Sequence, residues 1–141
     1  MSDAFEDCVR SLINTDLQRE LEGAWVPIAA KVAGQDLGVG ELRVKYLVLE
    51  AGGYRIIDRS NHVVDSGEYL VNAATSPQTM DIVGRDGPNA GRTMLAIYAL
   101  DADRLTVCYD LDGAARPTNM QPQDDQLLLS ITYARALTLL S

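Results

Sequence analysis

No stretch of this chain approaches the roughly 20 consecutive apolar residues that a membrane-spanning helix needs. Its opening, Met1-Ser2-Asp3-Ala4-Phe5-Glu6-Asp7, has neither a basic flank nor an apolar run, so no secretory signal is expected and the default compartment is cytoplasmic. Basic side chains are scarce too. Twelve Lys and Arg stand against twenty Asp and Glu, a formal charge of −8. An acidic surface repels phosphate, which argues against nucleic acid and anionic membrane as partners. Cysteine is limited to Cys8 and Cys108. In a reducing compartment these read as small buried hydrophobes, in preference to a Cys8–Cys108 disulfide.

Recognisable chemistry is sparse as well. His62 is the sole histidine and the two thiols are far apart in sequence, which gives no zinc spacing, and there is no Gly-x-Ser-x-Gly elbow. The run Gly87-Pro88-Asn89-Ala90-Gly91-Arg92-Thr93 imitates a phosphate-binding loop. It is one residue short, has arginine for lysine, and leads into a strand where a helix N-terminus is needed, so it reads as a turn. Asp101-x-Asp103 and Asp110-x-Asp112-Gly113 fall at strand ends, where aspartate favours turns, and Gln121 stands where a calcium loop needs a bidentate glutamate. No metal, cofactor or catalytic set is expected, and the chain reads as a non-enzyme.

What is present is a clear change of pattern. At 141 residues the chain is one domain, long enough for a sizeable core. Phe5, Cys8, Val9, Leu12 and Ile13 recur at helical spacing and predict an amphipathic helix over residues 3–14. A short further turn through Leu17 and Leu21 ends at Gly23, so residues 1–22 form a helical segment. From Ala24 onward short β-like runs alternate with turn residues. The expected strands are Trp25 to Val32, Leu42 to Glu50, Tyr54 to Asp58, His62 to Val71, Thr79 to Val83, Thr93 to Leu100, Arg104 to Tyr109 and Leu127 to Arg135. Pro27 suits an edge or bulge, and Gly67 a bulge or sharp bend. Residues 111–126 form a long polar loop, and 136–141 either extend the last strand or form a short helix. Eight hairpin-connected strands over residues 24–135 predict a mainly β fold: an antiparallel up-and-down barrel behind an N-terminal helix, with no open edges.

The order of several short motifs resembles a known family. Leu21-Glu22-Gly23-Ala24-Trp25, with a helical segment ahead of it, is similar to the Gly-x-Trp signature of lipocalins and the wider calycins. Tyr54 after a glycine turn, Gly67-Glu68-Tyr69, Met80-Asp81-Ile82, Gly87 to Thr93, Ile97-Tyr98-Ala99-Leu100, Leu105-Thr106-Val107-Cys108 and Arg116-Pro117-Thr118 add to it. Together they resemble an uncharacterised bacterial lipocalin-like domain family of the planctomycete type, over roughly residues 17–135. Ala24 replaces a commoner threonine, and Asn119-Met120 replaces an aromatic. The resemblance implies a lipocalin-like barrel and no established activity. It also implies structural roles for Gly23 and Trp25, with Arg135 packed across the indole at the barrel base.

Six tyrosines against one phenylalanine show that the strands favour an aromatic with a hydroxyl. Period-two alternation puts Tyr54, Tyr69, Tyr98 and Tyr109 on the apolar faces of their strands, pointing inward. A buried hydroxyl needs a partner, so several converging phenols suggest ordered water or a ligand with polar atoms. The plainer alternative is a barrel filled by its own side chains, the common case at eight strands. The leading expectation is non-catalytic binding of a small, largely apolar or amphiphilic ligand lined by these four tyrosines, with Arg116 meeting an anionic end at the mouth. The alternative is a filled barrel that binds a protein partner, or a second copy, through the N-terminal helix.

Overall fold

The computed structural model of the protein describes residues 20–111, 115–119 and 127–136. Within them run nine strands: β1 (Gly23–Val32), β2 (Gln35–Leu37), β3 (Tyr46–Glu50), β4 (Gly53–Ile57), β5 (Val63–Asn72), β6 (Gln78–Asp86), β7 (Thr93–Asp101), β8 (Arg104–Asp110) and β9 (Leu128–Arg135). β1 and then β3 to β9 pair antiparallel in sequence order, and β9 returns to pair with β1. Eight strands therefore close an up-and-down barrel, the mainly β architecture expected. The helix expected over 3–14, Cys8, parts of the 111–126 loop and residues 137–141 lie outside the described residues.

Two details of β1 depart from the expected layout. Its first three residues pair with β3, while its last three pair with the short β2, a strand not anticipated in Gln35-Asp36-Leu37. A 3-10 turn at Val39–Leu42 then leads into β3, which begins at Tyr46 instead of Leu42. Pro27 sits between these two pairings, where its missing N–H costs no ladder hydrogen bond. The register against β9 slips between Pro27 and Ala29, with Ile28 as the extra residue. That bulge resets the alternation. Trp25 and Pro27 are buried before it, Ala30 is buried after it, and Lys31 is thereby turned to solvent.

The barrel is closed at one end by Trp25, which is fully buried. Its indole Nε1 donates to the Leu21 carbonyl at 2.8 Å, and the Arg135 guanidinium stacks 4.3 Å from the ring centroid. Arg135 also donates to the carbonyls of Glu22 (2.7 Å) and Glu20 (2.8 Å) and to the Asp103 carboxylate (3.3 Å). One side chain thus ties the chain entry, β9 and the β7–β8 turn to the plug. Gly23 makes room for this. Its φ of +132° is costly for any other residue, and a Cβ there would lie 3.2 Å from Arg135 Nη1. Arg135→Ala is expected to lower stability by about 2 kcal/mol, the sum of a cation–π contact and charge-assisted hydrogen bonds discounted for partial exposure. A urea midpoint equal to that of the parent protein would contradict a structural role for this side chain.

A second, smaller cluster lies on the outer wall, where Ile97, Cys108 and Leu128 are buried. Burial pushes the Cys108 thiol up, so it stays protonated and a poor nucleophile.

Candidate functional site

Because the strands alternate, the odd positions of β5 and β8 and the even positions of β4 and β6 face inward. Apolar residues at those positions build the core together with the inward residues of β1, β3, β7 and β9. They do not fill the barrel. A cavity of about 460 Å³ remains, within the usual range for a small-molecule pocket. Leu49, Tyr69, Val107 and Ile131 form its deeper wall. Leu42, Arg43, Asp58, Val64 and Pro88 stand at the opposite end from Trp25, where the β2–β3, β4–β5 and β6–β7 connections meet.

One charged group intrudes on this apolar interior. Asp65 of β5, 8% exposed, is the only buried charged side chain among the described residues. Tyr54 donates its hydroxyl to Asp65 Oδ1 at 3.2 Å, and the Asn89 amide donates to Oδ2 at 2.7 Å. Tyr54 lies directly across the ladder from Gly67, two residues along β5 from Asp65 on the same face. Asn89 comes from the β6–β7 turn, whose backbone is drawn tight by Gly91 N–H to the Gly84 carbonyl (3.0 Å) and Ala90 N–H to the Gly87 carbonyl (3.1 Å). The glycine-rich run is a turn, as expected, and its asparagine is the piece that enters the cavity.

The phenols around Asp65 are held protonated. Burial, followed by the Asp65 charge and hydrogen bond, drives Tyr54 well above the usual phenol range. Burial and then the Asp65 charge push Tyr109 up to about 12. Tyr133, raised chiefly by burial with Tyr109 beside it, completes the aromatic wall. At neutral pH these hydroxyls keep their protons, and the Tyr54 hydroxyl and the Asn89 amide both donate to Asp65.

Of the tyrosines expected to line a pocket, Tyr54, Tyr69 and Tyr109 do so. Tyr98 faces inward and is buried, but it lies towards Glu20 and the plugged end and is not part of the cavity wall. Arg116 is not at the mouth. It donates to the Ala96 carbonyl (2.9 Å) and pairs with Asp81, an outward position of β6, so it fastens the segment after β8 to the outer wall. The cation that does stand at the mouth is Arg43, exposed in a left-handed conformation at the end of the 3-10 turn. Asp65, Asn89 and Tyr133 were not singled out from sequence. For Asp65 and Tyr133 the signal existed, since Asp65 shares the parity of Tyr69 and Val71, and Tyr133 that of Leu129 and Ile131.

His62 lies exposed in the β4–β5 turn, and its N–H, with that of Ser60, donates to Asp58 Oδ1. The hydrogen bond from His62, and after it that from Ser60, holds the Asp58 carboxyl below its ordinary value. Among the described residues no three His, Cys, Asp or Glu side chains gather as metal ligands, and no helix is long and apolar enough to cross a membrane. Fold and site together define a closed antiparallel barrel with an internal, mostly apolar cavity. No family model, curated protein or solved structure matches the chain.

Proposed function

We propose that this protein is a lipocalin-like carrier or sensor barrel that binds a small, largely apolar ligand carrying a few polar atoms, without transforming it. The observation that carries this reading is the cavity itself, about 460 Å³ walled by aliphatic and aromatic side chains with one polar knot at Asp65. Apolar surface supplies the driving force on entry, at roughly 25 cal/mol per Å² removed from water before the costs of association are subtracted. The polar knot supplies orientation. Support for binding over catalysis is that two of the cavity's polar side chains, Tyr54 and Asn89, are already committed to Asp65.

The test is a thermal-shift and native mass-spectrometry screen of amphiphiles, fatty acids and small aromatic compounds. A ligand present at about 100 times its Kd should stabilise the barrel by about 2.7 kcal/mol, an upward shift in Tm of roughly 10 °C for a domain of this size. Ile131→Trp, which places an indole in the cavity, should abolish the shift. If no compound in the panel moves Tm, the binding reading falls and the cavity is a packing defect of the barrel.

A further inference from the structure

Asp65 poses a question that the fold alone does not answer. A carboxylate offers about four lone-pair directions, and two are taken here, by the Tyr54 hydroxyl and the Asn89 amide. Both donors are neutral. Among the described residues no lysine, arginine or histidine forms an ion pair with Asp65. A buried carboxylate without a counter-ion is expensive, and burying one is rarely retained unless something pairs with it. The mouth does not supply the missing charge, because Arg43 and Asp58 stand there together, one of each sign. Inside, the uncompensated charge is negative.

The walls are suited to the same kind of guest. Tyr54, Tyr69, Tyr109 and Tyr133 all line the cavity, and the faces of such rings attract a cation once water is excluded. The negative field of Asp65 already reaches two of these phenols, adding to the burial that holds Tyr54 and Tyr109 protonated. A protonated amine on an apolar tail would satisfy every feature at once. Its N–H groups would take the free lone pairs of Asp65, its charge would neutralise the carboxylate, and its tail would lie against Leu49, Val107 and Ile131.

Resting on the binding reading above, we propose that the ligand's polar end is an ammonium group, received by the buried Asp65 carboxylate inside the tyrosine-lined cavity. The proposal names a ligand class, alkyl or aryl amines, and makes Asp65 the residue that sets specificity. It also reverses the earlier expectation of an anionic end meeting an arginine.

Three probes with the same tail separate the possibilities: octylamine, octanol and octanoate, titrated into the full chain by isothermal calorimetry at neutral pH. Octylammonium should bind about tenfold tighter than octanol, the value of one charge-assisted hydrogen bond, with octanoate weakest of the three. Asp65→Asn keeps the shape of the side chain and removes its charge. In that variant octylamine should fall to the affinity of octanol, while octanol itself is little changed. If octanol or octanoate binds the parent protein as well as octylamine, the ammonium assignment is overturned and the cavity reading stands. If none of the three binds, both fall. The ranking in the parent protein decides the matter alone should Asp65→Asn fail to fold.

Discussion

Raising the pH from about 10 to about 12 is expected to unfold this barrel in one cooperative step. Five tyrosines, Tyr54, Tyr69, Tyr98, Tyr109 and Tyr133, are driven above the ordinary phenol value, in every case chiefly by burial. For Tyr69, burial and then the charge of Glu22 place it at about 12, the same value as Tyr109. An unfolded chain ionises its tyrosines near pH 10. Below that point both states hold the proton and the folded state loses nothing. Above it the unfolded state sheds protons that the folded state keeps, so stability falls by about 1.4 kcal/mol per pH unit for each such group. Tyr69 and Tyr109 alone withdraw about 5 kcal/mol by pH 12, against the 5–15 kcal/mol typical of a whole domain. The other three add to the same slope. Tyrosinate absorbance and far-UV circular dichroism should therefore change together along the titration. Stepwise ionisation of these phenols while the β signal persists would show that the barrel interior is open to solvent.

The same tyrosines show what could be read from the residues alone and what could not. Alternation assigns a face, and it turned Tyr54, Tyr69, Tyr98 and Tyr109 inward correctly. It does not assign depth along the barrel axis. Tyr98 therefore ended near the plug and Tyr109 beside Asp65, a difference set by register across β6, β7 and β8. Pro27 and Gly67 announced irregular backbone because each has a conformational property that no partner can hide. The contact of Arg135 with Trp25 was suggested by resemblance, and the geometry supports it at 4.3 Å. β2 could not be read, because Gln35-Asp36-Leu37 has no strand pattern of its own and pairs only with the end of β1 that has outrun β3. Arg116 could not be placed either. Its partner Asp81 is 35 residues away, and which side of the wall a loop folds over is decided by the barrel, not by the loop. Asp65 is legible by parity, yet a lone acid in a strand looks like a solvent-facing residue until its neighbours are counted.

Gly67→Ala is expected to cost about 3 kcal/mol or more, the upper end for forcing an added methyl into a packed interior. A Cβ at this position would lie 2.0 Å from the Val83 carbonyl oxygen of β6 and 2.8 Å from Tyr54 Cε1. The first is backbone held in the β5–β6 ladder, so β5 and β6 must move apart where their register already slips between Ser66 and Gly67. The second is the ring that carries the hydroxyl to Asp65. The loss of stability should therefore come with a loss of ligand affinity, which a stability defect elsewhere would not bring. Gly84 is the counterpart on the other side, because a Cβ there would lie 1.9 Å from the Asn89 carbonyl oxygen and displace the residue that holds Oδ2. Two glycines thus seat the two donors of one buried carboxylate. Gly38 provides the control. Its φ is −63° and nothing lies within 4 Å of an added Cβ, so Gly38→Ala should leave the urea midpoint unchanged or raise stability by about 0.4–1 kcal/mol through the unfolded chain. Equal midpoints for the Gly67 and Gly38 variants would mean that β5 and β6 are not as close as described, and the seat built for Asp65 would go with them.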